Sequence, residues 1–396
     1  MIGWYGTSLI GRSHLSEGGV CQDYSGVKTL QNGWVVAAVA DGLGSAKYSD
    51  IGSKLAVEEV LRFVDVNVPE VWHDESLISL LRTAFHVALK KIKDQASKEG
   101  HLLRYYDTTL TCVVYNGVNA VFGHVGDGGI IVLNPFGDFT ALTVAQKGEE
   151  YNQTVPLRGG PDNWVFGLSN ESIVALLLLT DGIYDVACPW LLAQQKQKMY
   201  VNYVRPFMDR NILKVKSSAD FEKVQKDVEE FFQGKHAKQI TDDKTIVGII
   251  NTDVMPEVKP DKYYLEPNWK KLVTEHREKL YGSNKSSSSS SPSSSTVTNT
   301  ADVMSVDLDG DDDTDVVEVV SEDGEEKEGE TEPVIDETIE NNDDCVQLET
   351  NTDDVVKLLE DTSEEKSEGS SGSVGSINKT LNSLLSKIRV KKADAN

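Results

Sequence analysis

The chain has 396 residues, with 64 Asp and Glu against 39 Lys and Arg, a formal net charge of −25. That charge is local: residues 301–370 hold 28 acidic side chains and 3 lysines, whereas residues 1–300 carry 35 acids against 31 bases. A nearly neutral N-terminal part with an acidic tail excludes nucleic acid as the main partner, because phosphate binding needs a basic face.

The four cysteines, Cys21, Cys112, Cys188 and Cys345, lie far apart with no CxxC spacing. That argues against a disulfide framework or a zinc site and for reduced thiols in a cytoplasmic protein. The start, MIGWYGTSLIGRSH, has no basic segment followed by a long apolar one, so no signal peptide is expected. The longest apolar run, residues 173–179, is far short of the roughly 20 residues that span a bilayer.

In chain order, residues 3–9, 20–28 and 33–41 have the short apolar character of strands. Residues 49–64 read as a helix, with Val57, Val60, Leu61 and Val64 at three- and four-residue spacings. Residues 75–96 read as a second, with Leu80, Leu81, Ala84, Val87, Ala88 and Ile92 on one side. Closely spaced strands follow at 108–115, 118–124, 129–133 and 140–144, the first two joined by the hairpin signal Asn116-Gly117. Residues 145–170 read as a long surface excursion. A strand at 172–180, helices near 186–200 and 218–232, and a strand at 244–251 complete the region. Antiparallel strand runs with helix pairs between them predict an α+β fold, a central antiparallel β-sandwich flanked by helix pairs in four layers (α-β-β-α).

Residues 1–255 are thus expected to form one domain, and residues 256–283 a helical extension, with a helix over 263–281. Residues 284–300 are a Ser-rich linker. Residues 301–372 form an acidic tail without aromatics, expected to be disordered because it cannot bury enough apolar surface. Residues 373–396 place Ile377, Leu381, Leu384, Leu385 and Ile388 beside Lys387, Arg389, Lys391 and Lys392, a basic amphipathic helix suited to docking on a partner or an anionic surface.

Apolar runs end repeatedly in an aspartate beside glycine: Asp41-Gly42, Asp127-Gly128 and Asp181-Gly182. With Asp23 and Asp242, five acidic positions fall at expected strand ends or turns. Asp-Gly is a common turn, and each one alone reads as turn chemistry. Crowded together, the carboxylates would repel each other by a few kcal/mol unless a cation neutralised them. Their oxygens suit magnesium or manganese.

The ordered set resembles the metal-dependent serine/threonine protein phosphatases of type 2C. CQDY (21–24), VADGLGS (39–45), DTTLTCVVY (107–115), HVGDGGIIVL (124–133), LLTDGIYDV (178–186) and DDKTIVGII (242–250) are similar to that family's motifs, in family order. GRSHLSEGGVCQDY and KGEEYNQT look more like its bacterial branch. The resemblance implies two Mn2+ or Mg2+ ions bridged by Asp41, with the Gly42 carbonyl completing one site. Asp181 and Asp242 would hold the other, and Asp23 would act through metal-bound water. Asp127, with Asp181, would sit where many bacterial members bind a third ion. The implied reaction is attack of a metal-bridging water on phosphoserine or phosphothreonine of a protein substrate, opposing a serine/threonine kinase. Catalysis would then rest on Asp41, Asp181 and Asp242.

Four positions depart from the family pattern. Gly18 stands where many members carry a phosphate-gripping arginine. Gln22 replaces an acid, Leu43 stands at the position of a histidine proposed as general acid in some eukaryotic members, and Gly129 replaces an arginine. Arg12, Arg104 and Arg158 are the candidates to grip phosphate, and the sequence does not choose among them. These departures motivate an alternative, a catalytically weak or inactive binding module that keeps the fold. His86 reads as an ordinary helix residue, Cys112 as strand core and His124 as a structural residue at a strand end, while His14, near the expected active-site entry where it could contact phosphate, reads first as an exposed loop histidine.

Overall fold

The computed structural model describes residues 1–281, apart from residue 17 and residues 148–153, 235–236 and 238–239. The expected Ser-rich linker, acidic tail and C-terminal basic helix lie outside the described residues. The strands are β1 (Ile2–Leu9), β2 (Tyr24–Thr29), β3 (Val35–Ala40), β4 (Leu110–Tyr115), β5 (Ala120–Val125), β6 (Gly129–Leu133), β7 (Phe139–Ala141), β8 (Val165–Leu168), β9 (Ala175–Leu179) and β10 (Lys244–Asn251). The helices are α1 (Arg12–Ser16), α2 (Ser49–Asn67), α3 (Asp74–Glu99), α4 (Asp181–Ala187), α5 (Val201–Met208), α6 (Arg210–Leu213), α7 (Ser218–Gln233) and α8 (Trp269–Tyr281).

Two five-stranded sheets form, in the orders β1-β10-β9-β6-β7 and β2-β3-β4-β5-β8. Neighbouring strands among the described residues pair antiparallel. The alternation within β3 shows how the layers stack. Val35, Ala37 and Val39 join Val113, Ile130, Leu176, Leu178 and Val247 in the core between the sheets. Val36, Ala38 and Ala40 face the other way, into the layer formed with Val57, Val60, Leu81 and Phe85 of α2 and α3. On the far side of the other sheet, Leu177 and Leu179 pack with Phe207, Phe221 and Phe231 of α5 and α7. Both sheets are covered on both faces, so β3, β4, β9 and β10 are buried along their whole length. That is why they read as unbroken apolar runs rather than the half-polar alternation of an antiparallel sheet with one wet face. The observed architecture is the α+β, four-layer sandwich that the sequence predicts.

Several local expectations change. The helix expected near 186–200 is not formed. Instead α4 starts at Asp181 itself and ends before Pro189, which cannot donate to a continuing helix. Within the 145–170 excursion, β8 pairs with β5 and adds an edge strand to its sheet. The strand expected over 20–28 starts only at Tyr24, and the five-residue α1 precedes it. The helix expected over 263–281 is split. A 3-10 turn spans Asp261–Tyr264, Pro267 intervenes, and α8 begins at Trp269. This segment packs back on the sandwich. The Tyr263 hydroxyl accepts from Phe139 N at 2.9 Å, and Arg205 lies over the Tyr264 ring at 3.8 Å.

Register brings the important strand ends together. In one sheet Leu179, the last residue of β9, pairs with Gly129, the first of β6, and Ile246 near the start of β10 pairs with the same Leu179. In the other, Ala40 at the end of β3 pairs with Tyr24 at the start of β2, and Leu110 pairs with Val125. Asp23, Asp41, Asp127, Asp181 and Asp242 each lie one or two residues beyond a strand end, on one rim of the sandwich.

Gly129 is explained by packing. A Cβ there would lie 2.7 Å from Tyr184 Cζ and 2.8 Å from Thr143 Oγ1, so the Tyr184 ring of α4 occupies the space a side chain would need. Gly129→Ala should therefore destabilise the fold by roughly 1–3 kcal/mol, the usual cost of overpacking a core. The urea midpoint should fall with an unchanged slope, and adding Tyr184→Leu should recover part of the loss.

Candidate metal and active site

Asp41 leaves β3 into a turn held on both sides by threonine. Its N–H donates to Thr109 Oγ1 at 2.9 Å, and its carbonyl accepts from Thr108 Oγ1 at 2.8 Å and from Thr109 N at 2.8 Å. Gly42 N–H donates to the Gln22 carbonyl at 3.1 Å, which ties the turn to the residue before Asp23. Gly42 must be glycine for space: a Cβ would stand 2.6 Å from Ser49 O, at the first turn of α2.

Asp23 is 4% exposed, and its Oδ2 accepts from Thr180 Oγ1 at 2.7 Å. Thr180 in turn accepts from Thr245 N at 3.2 Å, so one hydroxyl connects Asp23 to the ends of β9 and β10. Asp181 opens α4 and accepts from Gly182 N at 2.7 Å. Asp242 accepts from Asp243 N at 2.8 Å. Asp127 lies in the tight turn between β5 and β6, where Gly126 adopts φ +119 and a Cβ would press on Thr109.

This arrangement brings carboxylate oxygens of Asp41, Asp127 and Asp181 within 4.8 Å of one another. Burial raises the pKa of Asp41 and Asp181 well above the ordinary carboxylate range, and each of the two is pushed further by neighbouring acids. Asp23 is pushed up to about 7, first by burial and then against its hydrogen bond from Thr180 by the charge of Asp243. Asp127 and Asp242 are also raised by burial. Two carboxylates about 4 Å apart repel by about 4 kcal/mol at an effective dielectric constant near 20.

Such a cluster is unfavourable when ionised and unneutralised. A divalent cation resolves it, and the donor set suits one: hard oxygens in a confined space. Buried Gln22 Oε1, without a hydrogen-bond partner among the described residues, adds another hard oxygen beside Asp23. The residues present thus fit Mg2+ or Mn2+. His124, Cys112 and His86 offer no oxygen ligand. His124 is buried, contacts Thr111 Oγ1 at 2.8 Å and has its pKa lowered to about 4 by burial. Cys112 is strand core, with its thiol raised by burial. His86 is exposed and stacks edge-on against Trp164.

Of the candidate phosphate-gripping arginines, Arg158 is committed elsewhere. Its Nε and Nη2 each lie 2.6 Å from the Asp107 carboxylate, a bidentate pair. The pair clamps the turn at Leu157–Gly159 onto the strand that supports Asp41. Arg104 lies over the Tyr105 ring at 5.8 Å, and Arg12 opens α1. Gly18 has φ +70 and open space where a side chain would be.

Sequence reasoning missed Asp243. It is 2% exposed and accepts from Gly11 N at 2.5 Å through Oδ1 and from Gln22 N at 2.6 Å through Oδ2. Its signal was present as the second acid of the Asp242-Asp243 pair, but partners 232 and 221 residues away are invisible in sequence.

The family model described as protein phosphatase 2C matches residues 10–232, more than half of the chain. The match stops before Asp242 and β10. Among solved structures, the chain is similar to the serine/threonine phosphatase Stp1 from Staphylococcus aureus at 15% identity and a TM-score of 0.46, covering 63% of this chain and 95% of that one. It is similar to the Mycobacterium tuberculosis phosphatase PstP/Ppp at 16% and 0.44, covering 65% and 99%. It is also similar to the catalytic domain of PstP in complex with two manganese ions, at 17% and 0.44, covering 63% and 97%. No curated protein matches the chain significantly. Among the described residues no helix is long and apolar enough to cross a membrane. On the matched family model, the chain belongs to the protein phosphatase 2C family and is a protein-serine/threonine phosphatase.

Proposed function

We propose that this chain hydrolyses phosphoserine and phosphothreonine on proteins with Mn2+ or Mg2+ held by Asp41, Asp127, Asp181 and Asp242, the Gly42 carbonyl and, indirectly, Asp23. The substrate is then a protein phosphorylated by a serine/threonine kinase. The observation that carries this reading is the convergence of the half-buried Asp41, Asp127 and Asp181, whose oxygens lie within 4.8 Å of one another. Bound there, divalent ions supply charge neutralisation and lower the pKa of an attacking water. The chain's own residues do the rest. The threonines at 108, 109 and 180 hold Asp41 and Asp23 in place before substrate arrives.

Asp41→Ala and Asp181→Ala should each abolish metal-dependent hydrolysis of both p-nitrophenyl phosphate and a phosphothreonine peptide, with at least a roughly 10³-fold fall in kcat/KM, because the loss removes a ligand of a catalytic metal. Wild-type protein that binds Mn2+ by calorimetry but turns over neither substrate would instead point to the binding-module reading.

Linkage sets the pH behaviour of the metal-free protein. Asp23, Asp41 and Asp181 have folded pKa values above their unfolded value near 3.8. The folded state therefore holds more protons than the unfolded chain above that value, and stability falls as pH rises. For Asp23 the loss is complete once pH passes about 7. In chelator, the melting temperature should fall from about pH 5 to about pH 8. Added Mn2+ should restore it most at the alkaline end, where ionised ligands bind metal only in the folded state. Scanning calorimetry with and without chelator reads both effects.

A further inference from the structure

We propose that His14 is the proton donor to the departing serine or threonine oxygen and that Asp243 is its positioning residue. The inference rests on the phosphatase reading above.

The starting point is where α1 sits. Ser13 donates to the Thr241 carbonyl twice, through N at 3.0 Å and Oγ at 2.6 Å. A Cβ on Gly11 would lie 2.5 Å from that same carbonyl oxygen and 2.6 Å from Asp242 O. The short helix is therefore pressed onto the turn that carries Asp242.

Asp243 explains how His14 is held. A carboxylate is required there because both oxygens accept a backbone N–H, from Gly11 and Gln22. An asparagine has only one acceptor oxygen and would turn its NH2 toward the other donor. Oδ1 of the same carboxylate lies 3.0 Å from His14 Nδ1, without the alignment of a hydrogen bond. Asp243 is 2% exposed, whereas the His14 side chain keeps 21% of its surface open. With Nδ1 beside Asp243, Nε2 is the ring nitrogen available to a substrate.

The chemistry gains from such a group. A serine or threonine alkoxide is a poor leaving group, and a positioned acid contributes about 10²–10⁴-fold. The clustered aspartates must be ionised to hold metal and have no proton to give. Leu43 offers none, and the Arg158 guanidinium is committed to Asp107. In the step, the water oxygen bonds to phosphorus as the P–Oγ bond breaks. The electron pair stays on Oγ, which takes the proton from His14 Nε2. The products are the free hydroxyl side chain and inorganic phosphate, and the proton released by the water restores the imidazolium.

Leaving groups separate this role from a structural one. Nitrophenolate departs as a stable anion and needs little protonation, whereas a serine alkoxide needs it fully. His14→Ala and His14→Gln, with melting temperatures recorded for each, should lower kcat on a phosphoserine peptide about 10²-fold more than kcat on p-nitrophenyl phosphate. Asp243→Asn should show the same preference in weaker form. Equal losses on the two substrates, or no loss on the peptide, would overturn the proposal. Absence of turnover by the wild type on both substrates would overturn the phosphatase reading itself.

Discussion

Mutual repulsion among crowded carboxylates is the constraint around which this domain is arranged. Asp23, Asp41, Asp127, Asp181 and Asp242 meet on one rim of an apolar sandwich, where burial disfavours their ionised forms before any pairwise repulsion is added. A small fold would not tolerate this. Here three apolar layers, one between the sheets and one under each helix set, hold the strand ends in register regardless of what their tips carry. Each fully buried leucine or valine contributes about 1.5–3 kcal/mol, and dozens are present. Stability lies in the layers and reactivity at the rim.

Between layers and rim stands a tier of hydroxyls and glycines. The hydroxyls of Thr108, Thr109 and Thr180 satisfy backbone groups that the departing strands would otherwise leave bare, Thr180 that of Thr245, and they aim the adjoining aspartates. Gly42 and Gly182 have no room for a side chain, Gly182 because the Asp243 carbonyl lies against it. The five acids can approach each other only because the chain between them is small. The same economy of space places Tyr184 over Gly129.

Much of this was legible in sequence, for physical reasons. Strands buried on both faces need unbroken apolar runs, so β3, β4, β9 and β10 declared themselves. The long helices α2 and α3 showed their three- and four-residue spacing because each buries one face on a sheet. Short elements did not show. α1 has five residues and no buried ones, and its position depends on Thr241 and Asp243. β8 owes its strand character to the free edge of β5. Residues 186–200 looked helical, yet Pro189 separates α4 from a 3-10 turn and the chain folds irregularly up to α5. The candidate site divides similarly. The aspartates at strand ends were visible because a carboxylate after an apolar run must emerge at a sheet rim. The assignments of Arg158 to Asp107 and of His14 to Asp243 were not, since they join residues 51 and 229 positions apart.

The sequence by itself determined the α+β class, the buried strands, the neutral domain with its acidic extension, and which aspartates stand at strand ends. Those follow from local pattern, because hydrophobic period and turn chemistry act over a few residues. Only the tertiary structure decided that three of those carboxylates converge within 4.8 Å, and that Asp243 ties down the chain between β1 and β2. Convergence depends on antiparallel register across two sheets and on which loop packs against which rim. Both are set by the sum of long-range contacts and by no single stretch of chain.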